Sequence, residues 1–63
     1  MPLVQVKCWS GHTADEKAQT IQRVTEAVAE GLDVDAQHVT VVIQEYAKEN
    51  WGAGGVPATQ WDD

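Results

Sequence analysis

The sequence predicts a small α+β fold: a β-α-β unit with a short C-terminal hairpin, stable only as an oligomer with shared sheets. Three observations lead there. Two segments alternate their side chains between faces with the period of a strand, a segment with helical periodicity lies between them, and the chain has only 63 residues. A chain this short buries roughly 60% of the surface it exposes when unfolded, so its own core is marginal. Small scaffolds compensate with disulfides, a metal or association. Cys8 is the single cysteine, which excludes an intramolecular disulfide and suits a reducing cytoplasm. Cys8, His12 and His38 give at most three soft ligands, at spacings that match no structural metal site, so no metal is predicted. Association remains.

Each element has its own signal. Pro2 to Trp9 reads as a strand, with Val4, Val6 and Cys8 on one face and Leu3, Gln5, Lys7 and Trp9 on the other. Ser10-Gly11-His12 is a turn. Thr13-Ala14-Asp15-Glu16 is a capping box, and Asp15 and Glu16 suit the positive end of a helix dipole. A helix follows from about Ala14 to Glu30, with Ala18, Ile21, Val24, Ala27 and Val28 along its apolar stripe. Gly31 is the expected stop. Leu32 to His38 connects to a second strand, about Val39 to Tyr46, rich in β-branched residues. A helix joining two strands of one sheet implies parallel strands and a right-handed crossover. The remainder, AKENWGAGGVPATQWDD, reads as a short turn or hairpin and then a mobile tail over about residues 56–63. One domain, 1–63, is expected.

Two parallel strands and one helix leave both sheet edges unpaired and one face bare. Both strands carry apolar residues on both faces: Leu3 and Trp9 opposite Val4 and Val6, Val42 and Tyr46 opposite Val41 and Ile43. Burial on both sides is implied, with a helix on one and another subunit on the other. The composition narrows the partners further. Ten acidic against four basic residues give a formal charge of −6, and Lys7, Lys17, Arg23 and Lys48 are scattered singly, so nucleic acid is excluded as a partner. No apolar run is long enough to span a bilayer, and Lys7 and Gln5 interrupt the N-terminal stretch that a secretory signal would need. A cytoplasmic protein without a membrane partner is expected.

The opening MPLVQV raises a chemical question. Pro2 cannot donate to a ladder, and the first position of a strand is one of the few places a sheet tolerates it. Aminopeptidases also remove Met1 when proline follows, leaving a secondary amine on a rigid ring. At this point the chain resembles the 4-oxalocrotonate tautomerase family across nearly its whole length. The resemblance rests on MPLVQV, DEKAQTIQRVTEAVAEGLD, VTVVIQEYAKENWG and the glycines of GAGG, in that order and spacing. It implies dimers that commonly form a hexamer, no cofactor, and a processed N-terminal proline that moves a proton between carbon and oxygen of an enol or dienol. Physical chemistry supports that choice of base. An α-amino group titrates at about 7.7–8.0, and burial lowers that value by disfavouring the ammonium form. A base poised near the working pH is the most effective one.

By the same resemblance, His12 and Thr40 stand where the family carries two arginines that bind substrate carboxylates, and Trp51 stands where it carries a phenylalanine lining the pocket. Neither His nor Thr reproduces a bidentate guanidinium, so the dicarboxylate clamp does not carry over. Lys7 shares a strand face with Leu3 and Trp9 and is a further candidate for substrate contact, as is Trp9 itself. The main expectation is therefore a cofactor-independent keto–enol tautomerase with Pro2 as acid–base catalyst, acting on a small enol or oxo acid. Two alternatives are a hydratase or dehalogenase in which a carboxylate such as Glu49 activates water, and an oligomeric binding protein without activity. Trp61, in the expected tail, is a candidate clamp on a neighbouring subunit.

Overall fold

The computed structural model describes residues 1–62. Strand β1 (Leu3–Trp9) and strand β2 (Thr40–Tyr46) form a two-stranded parallel sheet, in register from Leu3 opposite Thr40 to Trp9 opposite Tyr46. Helix α1 (Ala14–Leu32) is the crossover between them. Strands β3 (Gly52–Ala53) and β4 (Val56–Pro57) make a minimal antiparallel hairpin, turned through Gly54 and Gly55 at φ 62° and 84°. Short 3₁₀ turns at Ala36–His38, Lys48–Asn50 and Ala58–Gln60 fill the connections. No helix among the described residues is long and apolar enough to cross a membrane.

The predicted capping box closes the helix N-terminus. Thr13 N–H donates to Glu16 Oε1 at 2.8 Å, and Glu16 N–H donates to Thr13 Oγ1 at 3.1 Å. The C-terminus departs from expectation. Gly31 is an ordinary helical residue, and the left-handed stop is Asp33, at φ 55°. Asp33 N–H donates to the Glu30 carbonyl and Val34 N–H to that of Ala29, the reciprocal pair of a Schellman turn. Aspartate tolerates that conformation better than most residues. The helix therefore runs two residues further than expected.

The stripe facing the sheet is also rotated from the expected one. Val24 and Val28 are half-buried as anticipated, but Ala18 and Ala27 face outward and Ile21 is 39% exposed. Lys17 leads the stripe instead. Its Nζ reaches across to Glu45 Oε1 at 2.9 Å, on the helix-facing side of β2 beyond Val41 and Ile43. A polar clasp thus holds the first turns of α1 against the end of the sheet. Hydrophobic periodicity could not identify it, because neither partner is apolar.

The opposite face of the sheet is bare over most of its length. Leu3 is 59% and Val42 44% exposed, flanked by exposed Gln5, Lys7, Thr40 and Gln44. Only its far end is covered, where Trp9 and Tyr46 lie under the C-terminal segment. Val56 and Pro57, expected in a mobile tail, form the second hairpin strand. The chain then turns back, so that Trp61 Nε1 donates to the Val56 carbonyl at 3.1 Å. Trp61 therefore clamps its own chain. Ala58 is the one buried residue among those described, and its N–H bonds the Trp51 carbonyl at 2.6 Å.

Size and shape agree with an unfinished fold. The radius of gyration is 14.7 Å, against roughly 11 Å for a compact chain of this length. The accessible surface is 4876 Å², against roughly 4,000 Å² for a folded monomer of this mass. The Lys17–Glu45 clasp gives a first expected outcome. Lys17→Met strands a partly buried carboxylate whose second oxygen already has no partner, and should lower stability by about 1–3 kcal/mol. The double variant Lys17→Met/Glu45→Met should recover part of that loss. Urea midpoints at one fixed protein concentration decide it.

Candidate active site

The candidate residues fall at two ends of one strand. Pro2 stands just before β1, half-buried, and its carbonyl accepts the Thr40 backbone N–H at 3.0 Å. The ring is thereby fixed beside the first residue of β2, while Met1 projects outward at 97% exposure. Pro2 and Thr40 are neighbours through this backbone bond. Trp9 lies seven residues away, a span of about 23 Å along a strand. Trp51 packs with Trp9 at that far end, and His12 follows it in the loop that enters α1. Lys7 lies between, exposed on the bare face opposite Gln44. A single chain does not bring the proline and the tryptophan wall together.

The far end is an aromatic corner that gathers every aromatic residue in the sequence, three tryptophans and one tyrosine. Trp9 and Trp51 meet edge to face, 6.0 Å between centroids at 80°. Trp61 lies 5.9 Å from Trp9, and Tyr46 lies 5.8 Å from Trp51. Such pairs add roughly 0.5–1.5 kcal/mol each beyond the area they bury. Lys48, in the turn after β2, places Nζ 4.6 Å from the centroid of the Trp9 ring. The Trp9 indole N–H is occluded without a hydrogen-bond partner, amid rings whose faces are weak acceptors. Beside the corner, Glu49, Asn50, Trp51 and Pro57 line a shallow, open concavity of about 310 Å³. Sequence reasoning did not single out Lys48. Only the 3₁₀ turn brings it back over Trp9, and composition carries no signal for that.

A second cavity, of about 160 Å³, opens between α1 and the helix-facing side of the sheet, lined by Val6, Cys8, His12, Glu16, Lys17 and Ile43 among others. Pro2 has no part in it. The Thr13 backbone N–H holds the Glu16 carboxyl below its usual range, slight desolvation opposes this, and the nearby His12 and the Thr13 hydroxyl add to the lowering. His12 Nδ1 stands 3.8 Å from Glu16 Oε1, beyond hydrogen-bond reach, and pairs with it only when protonated.

A β-α-β unit with a half-buried proline at the head of its first strand and an aromatic corner at that strand's end defines a class of small α+β proteins. Comparison with known proteins specifies the class. A heterohexameric 4-oxalocrotonate tautomerase from Chloroflexus aurantiacus superposes with a TM-score of 0.91 at 26% identity, over 98% of this chain and all of the other. A 4-oxalocrotonate tautomerase isozyme of Methylibium petroleiphilum superposes with a TM-score of 0.86 at 38% identity, over 92% and 94% of the two chains. The 2-hydroxymuconate tautomerase of Pseudomonas sp. strain CF600 is 38% identical over 60 residues, 95% of each chain. The family profile described as tautomerase enzyme matches residues 2–60. The chain belongs to the tautomerase family, and it is an enzyme of the isomerase class.

The electrostatics of the helix entry give a second expected outcome. A carboxyl held low in the folded state adds stability above its ordinary titration range, and that stability is lost as pH falls through the lowered value. Glu16→Gln removes the titration. The stability gap between wild type and Glu16→Gln should therefore be largest near neutral pH and close in acid, below the ordinary carboxylate range. Urea unfolding of both proteins across that interval measures it; a gap independent of pH refutes the assignment.

Proposed function

We propose that the chain is a cofactor-independent keto–enol tautomerase in which Pro2, freed by loss of Met1, serves as general base and then general acid. The observation that carries this reading is the setting of Pro2. Its carbonyl is held by Thr40, its ring is half-buried, and Met1 stands almost fully exposed where an aminopeptidase can reach it. Family membership supports the reaction class. The free ring nitrogen takes the enol O–H proton. As the oxygen closes its double bond to carbon, the C=C electron pair takes the proton back from the pyrrolidinium, forming C–H. The products are the keto isomer and the regenerated amine, so no cofactor is required.

The pocket in this reading is shared between copies. β1 has a free edge and a bare face, and an isologous two-fold contact between two β1 strands runs them antiparallel. The head of one strand then lies beside the end of its partner, bringing Pro2 of one copy to the Trp9–Trp51 corner of the next. Repetition as a trimer of dimers gives a hexamer, the assembly size of the Chloroflexus relative. His12 and Thr40 do not supply two guanidinium clamps, which favours a substrate with one carboxylate over a doubly anionic one. Lys7, on the bare face, is a further contact in this arrangement. The small acidic chain with one free thiol suits a cytoplasmic enzyme. A hydratase or dehalogenase reading draws support from Glu49, which lines the same shallow concavity as Trp51.

Two outcomes test these readings. Protein whose mass shows Met1 removed should tautomerise phenylpyruvate enol, and Pro2 acylated at nitrogen should be inactive because an amide nitrogen is not basic. Equal activity with Met1 retained would sink the assignment. Sedimentation at micromolar concentration should show a hexamer with no folded monomer; a compact monomer at that concentration overturns the shared pocket.

A further inference from the structure

We propose that Lys48 is the residue that holds the substrate carboxylate, which makes the enzyme selective for enols carrying a single negative charge beside an apolar or aromatic body. The inference rests on the shared-pocket reading above and names the anchor that reading lacks. The sequence has four lysines and arginines, and three of them stand away from the aromatic corner. Lys17 is engaged by Glu45, Arg23 lies exposed on α1, and Lys7 sits mid-strand on the bare face. Lys48 alone stands at the aromatic corner, with Nζ 4.6 Å from the Trp9 ring centroid.

Its surroundings suit an anion. No carboxylate among the described residues lies within 4 Å of it. The indole face attracts the ammonium without neutralising it, so the charge is held in place and remains available. Trp51, packed edge to face on Trp9, lines the open concavity beside the corner and offers it an aromatic surface for the body of an enol. Glu49, next along the turn, lines the shallow concavity with Trp51 and adds negative charge there. A second carboxylate on the substrate would meet that charge rather than a cation. One carboxylate on Lys48 and an apolar body against the indoles is the arrangement the corner accepts.

The test separates binding from chemistry. In the binding arm, 3-phenylpropanoate and its amide are titrated into wild type, Lys48→Gln and Lys48→Arg, with indole fluorescence as the signal. Wild type should prefer the acid, Lys48→Gln should weaken the acid about tenfold or more and leave the amide unchanged, and Lys48→Arg should retain most of the preference. In the turnover arm, phenylpyruvate enol is compared with the enol of its methyl ester on protein with Pro2 confirmed free by mass. Lys48→Gln should raise KM for the acid alone and leave kcat within about twofold. An unchanged affinity and KM for the acid overturns the proposal, as does an equal loss for charged and neutral ligands, which would mean only that the corner had loosened. Binding selectivity that depends on Lys48, found together with absent turnover in wild type, upholds the anchor and refutes Pro2 as the base.

Discussion

A parallel pair of strands has one face more than a single helix can cover. In this chain α1 shields Val4, Val6, Val41 and Ile43, and the other side of the same strands presents Leu3 and Val42 to solvent. Surface and radius of gyration both exceed what a finished monomer of this mass would show. At about 25 cal/mol per Å² of apolar area, covering a few hundred square ångströms of such a face is worth several kcal/mol. That is comparable with the whole stability of a small domain. The uncovered face therefore decides how the protein exists, and also where a pocket can form.

The chain completes itself at only one place. The hairpin and the turn after it fold over the end of the sheet, where Ala58 is buried and its N–H bonds the Trp51 carbonyl. That fold-back needs the left-handed glycines of the β3–β4 turn and the bond from Trp61 to Val56. It leaves the proline end open and the tryptophan end furnished. Such an asymmetry is what the proposed pairing of two copies would use, each presenting the end that the other lacks.

Much of this architecture was legible in the sequence. Alternation in LVQVKCW and TVVIQEY located both strands, because each position of a strand faces one of two sides. Thr13 and Glu16 announced the helix start, because the capping box is a local bond pattern. The helix end was misread at Gly31, since aspartate also reaches the left-handed region and Val34 was available to complete the turn. The rotated stripe was hidden for a different reason: its leading member is a lysine whose partner lies 28 positions away. The order of the C-terminal segment escaped notice because it depends on Trp61 reaching Trp9, a contact between the two ends of the chain. The candidate residues proposed from the sequence are divided between the two ends of β1, and that division was not legible. That division is a property of strand length and register rather than of any motif.

The aromatic corner has one consequence for how this molecule reports on itself. All three tryptophans lie within about 6 Å of a neighbouring ring, so indole emission arises from one spot. The helix, which dominates far-ultraviolet dichroism, contains none of them. The two optical signals thus watch separate parts of a 63-residue chain. If the hairpin detaches before the β-α-β unit melts, the emission transition will precede the dichroic one. Peptides this small are usually described by a single melting curve; here the chain carries a built-in label on the one segment that it closes without help.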